Sequence, residues 1–388
     1  MQRVVVVGGG LAGLQTVAAL RTQGYADALV LVGAEMHRPY DRPPLTKAVL
    51  RGDSDDSTLD ADWASWNVEL HLGRTATGLC AGTLETDAGD LAWDRLVVAT
   101  GSVPVRFPGT EAAITLRTRE DALALRAMLR PGARLVIVGA GWIGAEVATA
   151  AVRAGVHVTV VEALDAPLAN ALPADCGKRM LPWWAPVDLV LGESVRAVEP
   201  GAVHLSGGTS LAADVVLLGV GARPATGWLH GTPVPLTERG AVEVDSGLRS
   251  AMPQVWAVGD VAAWTSQRYG RRMHVEHWDN ALHGPAVAAT TLLGGEATWD
   301  PVPYFWSEQW GHMVQYAGHH AGADRVVWRD DGDTWAVFWL TGDRITAALA
   351  VDRPRDLVQS RRLMESGVSV DDAVLADPAT PVKSAVMM

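Results

Sequence analysis

The sequence predicts an α/β protein with two Rossmann-like units and a smaller C-terminal α+β domain. Two stretches look alike: VVVVGGGLAGLQTVAAL (residues 4–20) and LVIVGAGWIGAEVATAA (residues 135–151). Each is a β-branched run of strand length, then GxGxxG, then an Ala-rich helical pattern. Each leads to a second apolar strand that ends near an acid, Glu35 after ALVLVG and Glu162 in VHVTVVE. A lone GxGxxG is weak, but strand, glycines, helix, strand and acid in order, and twice, specify a dinucleotide-binding unit. After about Pro303 the glycines thin, and alternating runs such as TWAVFWL and RITAALAV read as an antiparallel sheet with closing helices.

Taken in order, the chain enters a strand at Arg3 without a basic-then-apolar leader. Gly8, Gly10 and Gly13 form the first loop, and Gly139, Gly141 and Gly144 the second. The first glycine of each allows a tight turn, the second lets backbone approach a pyrophosphate, and the third permits close helix–strand packing. The helix that follows offers free N–H groups and a partial positive charge to the anion. LVVATGS (96–102), VVLLGVGARP (215–224) and VWAVGDVAAW (255–264) read as buried strands running into glycine turns. The expected division is residues 1–105 with 235–302 as one domain, 106–234 as a second and 303–388 as a third. Glu162, with no arginine in the next several residues, favours the free ribose of NADH over the 2′-phosphate of NADPH. Glu35 would serve the first unit in the same way; its other reading is a solvated loop carboxylate.

Composition excludes several function classes. The 388 residues are 48% hydrophobic and carry a net charge of −12, with no Lys/Arg block of the kind a nucleic-acid partner needs. Cys80 and Cys176 lie far apart and have neither zinc nor CxxC spacing. The histidines, including His319-His320, show no metal spacing, so no metal site is predicted and solvated loop positions are expected for them. The longest apolar stretch, residues 135–152, is interrupted by glycines and Glu146, which argues against a membrane span. A soluble, cytoplasmic protein is expected.

The motifs VVGGGLAG, RPYDRPPLTK, LVVATGS, LRTREDA, IVGAGWIGAEVA, VTVVEAL, VWAVGDVA, EHWDNAL and YFWSEQWG span nearly the whole chain. With them in this order, the sequence resembles the FAD-dependent pyridine nucleotide oxidoreductases, which have the glutathione reductase-like fold. More narrowly, it resembles the NADH-dependent ferredoxin reductases of aromatic-ring dioxygenases and bacterial cytochromes P450. The resemblance implies FAD on the first unit, with Gly8, Gly10, Ala12 and Gly13 at its pyrophosphate, and Arg42 and Arg117 adding charge. Thr100 and Gly101 join that set, Asp260 would bind the ribitol chain, Ala76 would line the adenine side, and Trp278 would approach the flavin through its backbone. NADH would lie on the second unit, at Gly139, Gly141, Ile143, Gly144, Glu162 and Gly221, with Trp142 as an aromatic gate between two glycines. One departure is Ala34, where many relatives have an acid; the ribose contact then falls to Glu35 or is weaker.

Reduction of a flavin by NADH places negative charge on its ring, so a nearby cation favours the reduced state. The resemblance makes that cation Lys47, paired with Glu146 close to the flavin N5. The plainer readings are a surface lysine, and an acid placed in the first turn of a helix for its dipole. Trp306 and Trp310 are the aromatics of the segment that relatives place beside the flavin, and Trp306 is the better candidate for contact. Arg353, Arg355, Arg361 and Arg362, and separately Arg268, Arg271 and Arg272, either steer an acidic partner or are scattered surface arginines.

The implied activity is electron transfer from NADH through FAD to a [2Fe-2S] or similar ferredoxin that feeds a P450 or ring-hydroxylating oxygenase. Rivals of the same fold are an NADH oxidase, a peroxidase or disulfide reductase, and a rubredoxin reductase. The thiol-dependent ones use an early redox cysteine, and none precedes Cys80. A rival of another class is a redox-sensing protein resembling apoptosis-inducing factor, and the oligomeric state is left open. On the leading reading, Lys47→Ala slows reduction of the flavin by NADH more than it weakens NADH binding. A stopped-flow reduction rate equal to that of the parent removes Lys47 from the role.

Overall fold

The computed structural model describes residues 2–387. In chain order its principal strands are β1 (Arg3–Val7), β2 (Ala28–Gly33), β3 (Glu69–Leu72), β4 (Arg95–Val98), β5 (Ile114–Thr115), β6 (Arg134–Val138), β7 (His157–Glu162), β8 (Asp188–Leu191) and β9 (Val215–Leu218). These are followed by β10 (Val255–Ala257), β11 (Tyr304–Gln309), β12 (His312–Gly318), β13 (Arg325–Asp331), β14 (Thr334–Thr341) and β15 (Arg344–Val351). The helices used below are α1 (Leu11–Thr22), α2 (Trp142–Arg153), α3 (Trp278–Leu292), α4 (Pro354–Ser366) and α5 (Asp372–Ala376).

The first sheet has the order β10-β4-β1-β2-β3 and the second β8-β7-β6-β9-β5. Every pairing in both is parallel. Parallel strands are covered on both faces, which is why β1 and β6 read as unbroken runs of Val, Ile and Leu rather than alternating ones. In each sheet the glycine-loop strand is central, and the chain reverses its direction of build-up beside it. That reversal opens a crevice at the carboxyl ends of the strands. α1 lies against α3, and Gln23 just past α1 donates to Ala286 O (3.1 Å) and accepts from Thr290 Oγ1 (3.1 Å). Thus a helix from late in the chain completes the first crevice. The two chain crossings between the sheets lie side by side as an antiparallel ladder, Ser102–Pro104 against Ala222–Pro224.

The third sheet is antiparallel, in the order β11-β12-β15-β14-β13. Its strands alternate with period two. Ala336, Phe338 and Leu340 of β14 pack with Leu357 and Leu363 of α4. Trp335, Val337 and Trp339 face the other way, onto Leu168, Cys176 and Met180 from the segment that follows β7. The sheet is therefore buried on both faces, one by its own helices and one by the second unit. The fold class is that of the expectation, with two parallel α/β cores and a C-terminal antiparallel sheet with helices. Among the described residues no helix is long and apolar enough to cross a membrane.

Arg329 on β13 fastens the C-terminal segment. It is fully buried and donates from Nε to Leu375 O (2.9 Å) and from Nη2 to Asp377 O (2.6 Å), and it also bonds Thr380 O (3.1 Å from Nη1). Asp356 is the nearest carboxylate, at 3.6 Å. Replacing Arg329 with Met leaves several carbonyls without donors in a dry interior, so a loss of about 3 kcal/mol or more is expected. Chemical denaturation followed by tryptophan fluorescence checks this.

Candidate functional site

Both glycine loops are built alike. Gly8 N donates to Val32 O and Gly139 N to Val161 O, each at 2.7 Å, tying loop to neighbouring strand. Gly8 has φ +127°, and a Cβ there would lie 2.1 Å from Ala99 O. A Cβ on Gly13 would lie 1.9 Å from Gly8 O, and one on Gly144 2.2 Å from Gly139 O. These positions close the loop on itself and admit only hydrogen. The middle glycine differs: a Cβ on Gly10 meets nothing within 4 Å, and on Gly141 nothing nearer than 3.8 Å. The open space is where a ligand's backbone-hugging phosphate fits. α1, α2 and α3 all begin without a side-chain cap among the described residues, at Gly10, Gly141 and His277, so the first-turn N–H groups of α1 and α2, and those of Trp278 and Asp279 in α3, are free for ligand oxygens. The loops therefore fit the pyrophosphate of one dinucleotide apiece.

Around the first crevice runs a chain of charged groups. Glu35 accepts from Arg42 Nη2 (2.7 Å) and Tyr40 Oη (2.5 Å), which corrects its reading as a solvated loop carboxylate. Burial is the main cause that lifts the Tyr40 phenol to about 12, so it stays a donor. Arg42 Nη1 donates to Arg117 O (2.6 Å), and Arg117 Nη2 reaches Asp260 Oδ2 (3.2 Å), which also accepts from Ser102 Oγ (2.9 Å). Arg42 and Arg117 are each 28% accessible although protein surrounds them, as side chains lining a deep cleft would be. Desolvation lowers the pKa of Arg117, and its Nε is buried without a partner among the described residues, ready for an anion. Ala12 touches the VGD turn: a Cβ on Gly259 would lie 2.9 Å from its methyl. Thr100 donates to Ala225 O (2.8 Å) just past the crossing ladder, and Gly101 lies under Arg117. Ala76 packs half-buried on the core of the first sheet, in a hairpin opposite Thr86.

Lys47 and Glu146 meet, with Nζ 2.7 Å from Oε2. The lysine is 14% accessible and the carboxylate 8%, so the surface-lysine reading is corrected. Glu146 is the fifth residue of α2, beyond its first turn, and the helix-dipole account fails with that. Its position is held by hydrogen bonds instead: Oε2 also accepts from Thr46 Oγ1 (2.5 Å) and Oε1 from Ser307 Oγ (2.7 Å). The loop before Lys47 is a short 3₁₀ turn, Pro43–Thr46, whose prolines fix its entry.

At the second loop, Glu162 ends β7 buried, accepting from Ala140 N (2.8 Å) and Leu164 N (3.0 Å). Each carboxylate oxygen keeps a second lone pair for a ribose hydroxyl. Trp142 and Ile143 open α2, Ile143 being 42% exposed, and Gly221 (φ +109°) precedes the crossing ladder. Trp142 packs edge-on against Phe305 (4.7 Å between ring centres), and Phe305 against His277 (4.7 Å). Trp278, the first residue of α3, donates to Asp41 Oδ1 (2.6 Å) and meets the Trp306 ring edge-on at 5.7 Å. Trp310 lies elsewhere, against Trp184 and with its backbone N–H donating to Thr149 Oγ1 (3.0 Å).

Other expectations change. His319 and His320 are half-buried, and desolvation lowers both pKa values; His320 Nδ1 is 2.9 Å from Tyr316 Oη. They are not solvated loop residues. Of the seven arginines, Arg353, Arg361 and Arg272 are in ion pairs and Arg268 caps Met364 O. Arg271, Arg355 and Arg362 have no ion pair among the described residues. Cys80 is exposed on a hairpin, whereas Cys176 is buried and its thiol is pushed up to about 12 by desolvation. Sequence reasoning missed Asp41, Thr46, Phe305, Ser307 and His277 as parts of the site. All five fall inside motifs already quoted, but only packing shows which side chain of each motif faces inward.

A model for pyridine nucleotide-disulphide oxidoreductases matches residues 2–284, and one for a reductase C-terminal domain matches 304–386. The chlorobenzene dioxygenase ferredoxin reductase component of Cupriavidus sp. (strain PS12) is 36% identical, covering 96% of this chain and 95% of that protein. The crystal structure of Fdr9 is 47% identical with a TM-score of 0.95, covering 98% and 99%. The covalent putidaredoxin reductase–putidaredoxin complex has a reductase chain 31% identical with a TM-score of 0.94, covering 99% and 97%. The chain belongs to the pyridine nucleotide-disulphide oxidoreductase family.

His277 supplies a pH test of the site. Burial depresses its pKa to about 4, partly opposed by Asp260, and its Nδ1 has no partner among the described residues. The unfolded chain binds this proton at about 6.5. Between those values the unfolded state carries more protons, so stability is full above pH 6.5 and falls as pH drops toward 4. His277→Asn removes up to about 3 kcal/mol of that acid sensitivity. Urea unfolding of the parent and variant at pH 7 and 4.5 measures the difference.

Proposed function

We propose that the chain is an NADH-dependent, FAD-containing reductase that delivers electrons to a small iron–sulfur protein of the ferredoxin type. The observation that carries this reading is the Lys47–Glu146 pair. It joins the first unit to the helix that opens the second, so it stands at the meeting point of the two crevices. FAD held by the first loop, Arg42, Arg117 and Asp260 would supply the change from two-electron hydride uptake to one-electron delivery, so that one NADH would serve two one-electron acceptors and yield NAD⁺ and a proton. In this reading residues 1–105 and 235–302 hold FAD, 106–234 hold NADH, and 303–388 cover the flavin.

The chain's own residues supply binding and charge. The free N–H groups of α1 and α2 take the two pyrophosphates, with Arg42 and Arg117 at the first, and Asp260 takes hydroxyls of the ribitol chain. Glu162 accepts ribose hydroxyls and repels a 2′-phosphate. Lys47 holds a positive charge in a nearly dry site, where it counts for more than in water. Trp142 stands over the nucleotide entry. A thiol relay has no support here, since neither cysteine adjoins the pair. A cytoplasmic location suits the two free thiols and the supply of NADH.

The outer face of α4 is the proposed docking surface. Arg355 and Arg362 line a shallow hollow with Pro354, Val358 and Gln359, and Val358 is 49% exposed. An unpaired basic face on a chain of net charge −12 suits an acidic partner. On its inner side Arg361 lies over Tyr304 (5.5 Å), which stacks with Trp306 (6.1 Å). The relatives named above are a dioxygenase component and a partner of putidaredoxin, in keeping with such an acceptor.

The test is NADH-driven cytochrome c reduction with and without a panel of ferredoxins. Stimulation by at least one is expected, and the double reversal Arg355→Glu/Arg362→Glu raises the KM for that ferredoxin about tenfold or more at low salt while leaving NADH-dependent ferricyanide reduction unchanged. Absence of stimulation by every ferredoxin overturns the reading.

A further inference from the structure

The Lys47–Glu146 pair is completed from a third part of the chain. Ser307 lies on β11, is 1% exposed, and donates from Oγ to Glu146 Oε1 at 2.7 Å. No other hydrogen bond to Oε1 occurs among the described residues, whereas Oε2 already accepts from Lys47 and Thr46. Gln309, also 1% exposed, places Nε2 3.5 Å from Ser307 Oγ, at the limit of hydrogen bonding. If that amide donates to Ser307, the serine proton is left to point at Glu146.

A carboxylate held at one oxygen can rotate about its last bond, and Lys47 would follow it. Lys47 Nζ has one short bond, to Glu146, and only 3.5 Å approaches to Pro43 O and Thr46 Oγ1. The ammonium therefore has little else to fix its place. An unpaired buried carboxylate oxygen is also costly, more so than a neutral acceptor. Ser307 removes both freedoms at once. It also sits beside Trp306 on the same strand, with its side chain on the opposite face of the sheet, as neighbours in a strand must be.

We propose that Ser307 is a positioning residue for electron input: through Glu146 Oε1 it fixes the orientation of the Lys47 ammonium, so that the C-terminal sheet governs hydride acceptance at the junction of the two nucleotide sites. This rests on the reading that the Lys47–Glu146 pair assists flavin reduction. The C-terminal domain then does more than cover a cofactor. Displacement of β11 by even an ångström would release Oε1.

The test uses the holoprotein and the variants Ser307→Ala, Ser307→Thr, Glu146→Gln and the double variant Ser307→Ala/Glu146→Gln. Ser307→Ala is expected to slow single-turnover flavin reduction by NADH about tenfold with the Kd for NADH unchanged, and Ser307→Thr to restore the rate. The double variant is expected to be no slower than Glu146→Gln alone. Independently of activity, the antisymmetric carboxylate stretch of Glu146, assigned by its loss in Glu146→Gln, shifts in the infrared spectrum of Ser307→Ala and returns in Ser307→Thr. A Ser307→Ala spectrum and rate equal to the parent's overturn the proposal, as does additive slowing in the double variant, which would mark a packing role only. If Ser307→Ala fails to fold, Ser307→Cys, which keeps the volume but donates weakly, takes its place with the same expectations. A Glu146→Gln protein that reduces its flavin at the parental rate instead overturns the underlying reading of the pair.

Discussion

The site depends on one constraint: a carboxylate has been taken out of water where three parts of the chain meet. Glu146 comes from the second unit, Lys47 and Thr46 from the first, and Ser307 from the C-terminal sheet. Removing a charge from water costs several kcal/mol unless its lone pairs are met, and here they are met only when all three parts are docked. The same bonds that make the charge tolerable thus fix how the domains sit. A substitution at any one of them leaves the others with an uncompensated group, so these four residues act as a unit.

Charge elsewhere in the site is handled by the same logic with different parts. Three helices start without side-chain caps at Gly10, Gly141 and His277, and an uncapped start inside a protein leaves N–H groups that something must satisfy. Arg117 presents a buried Nε without a partner among the described residues, while Arg42 donates to Glu35, Tyr40 and a carbonyl. Around the first crevice the acids Glu35 and Asp260 already have partners, while helix-start N–H groups and Arg117 Nε keep unused donors. Such an imbalance is expensive in the empty fold and is relieved by a ligand rich in phosphate and hydroxyl oxygens.

Much of this was legible in the sequence, and the limits are physical. The parallel cores could be read because strands buried on both faces must be apolar throughout, and because the glycines that close each loop cannot be replaced without a clash of about 2 Å. The C-terminal sheet could be read from its period of two. The joining of Lys47 to Glu146 came only through a family resemblance, since 99 residues separate them and no periodicity links them. The alternative of a first-turn acid at Glu146 fails because α2 begins at Trp142, inside the GxGxxG motif, which makes Glu146 its fifth residue. Ser307 and Thr46 were invisible for a different reason. Short hydroxyl side chains occur everywhere, and only the direction of the side chain on β11 and on the 3₁₀ turn separates a carboxylate donor from a solvated serine or threonine.

The proline-stiffened loop from His37 to Lys47 shows how these levels combine. Its Tyr40 and Arg42 hold Glu35, its Asp41 holds the first residue of α3 through the Trp278 ring, and its Thr46 and Lys47 hold Glu146. A mobile loop could not serve three partners from different elements at once, because each contact would have to be ordered separately at a cost of about 1 kcal/mol or more per residue. Pro43 and Pro44 remove part of that disorder from the unfolded chain, so less is lost on folding. A disulfide relay would need thiols, and the loop contains none. With no thiol in this loop to take them, electrons pass outward to a separate acceptor.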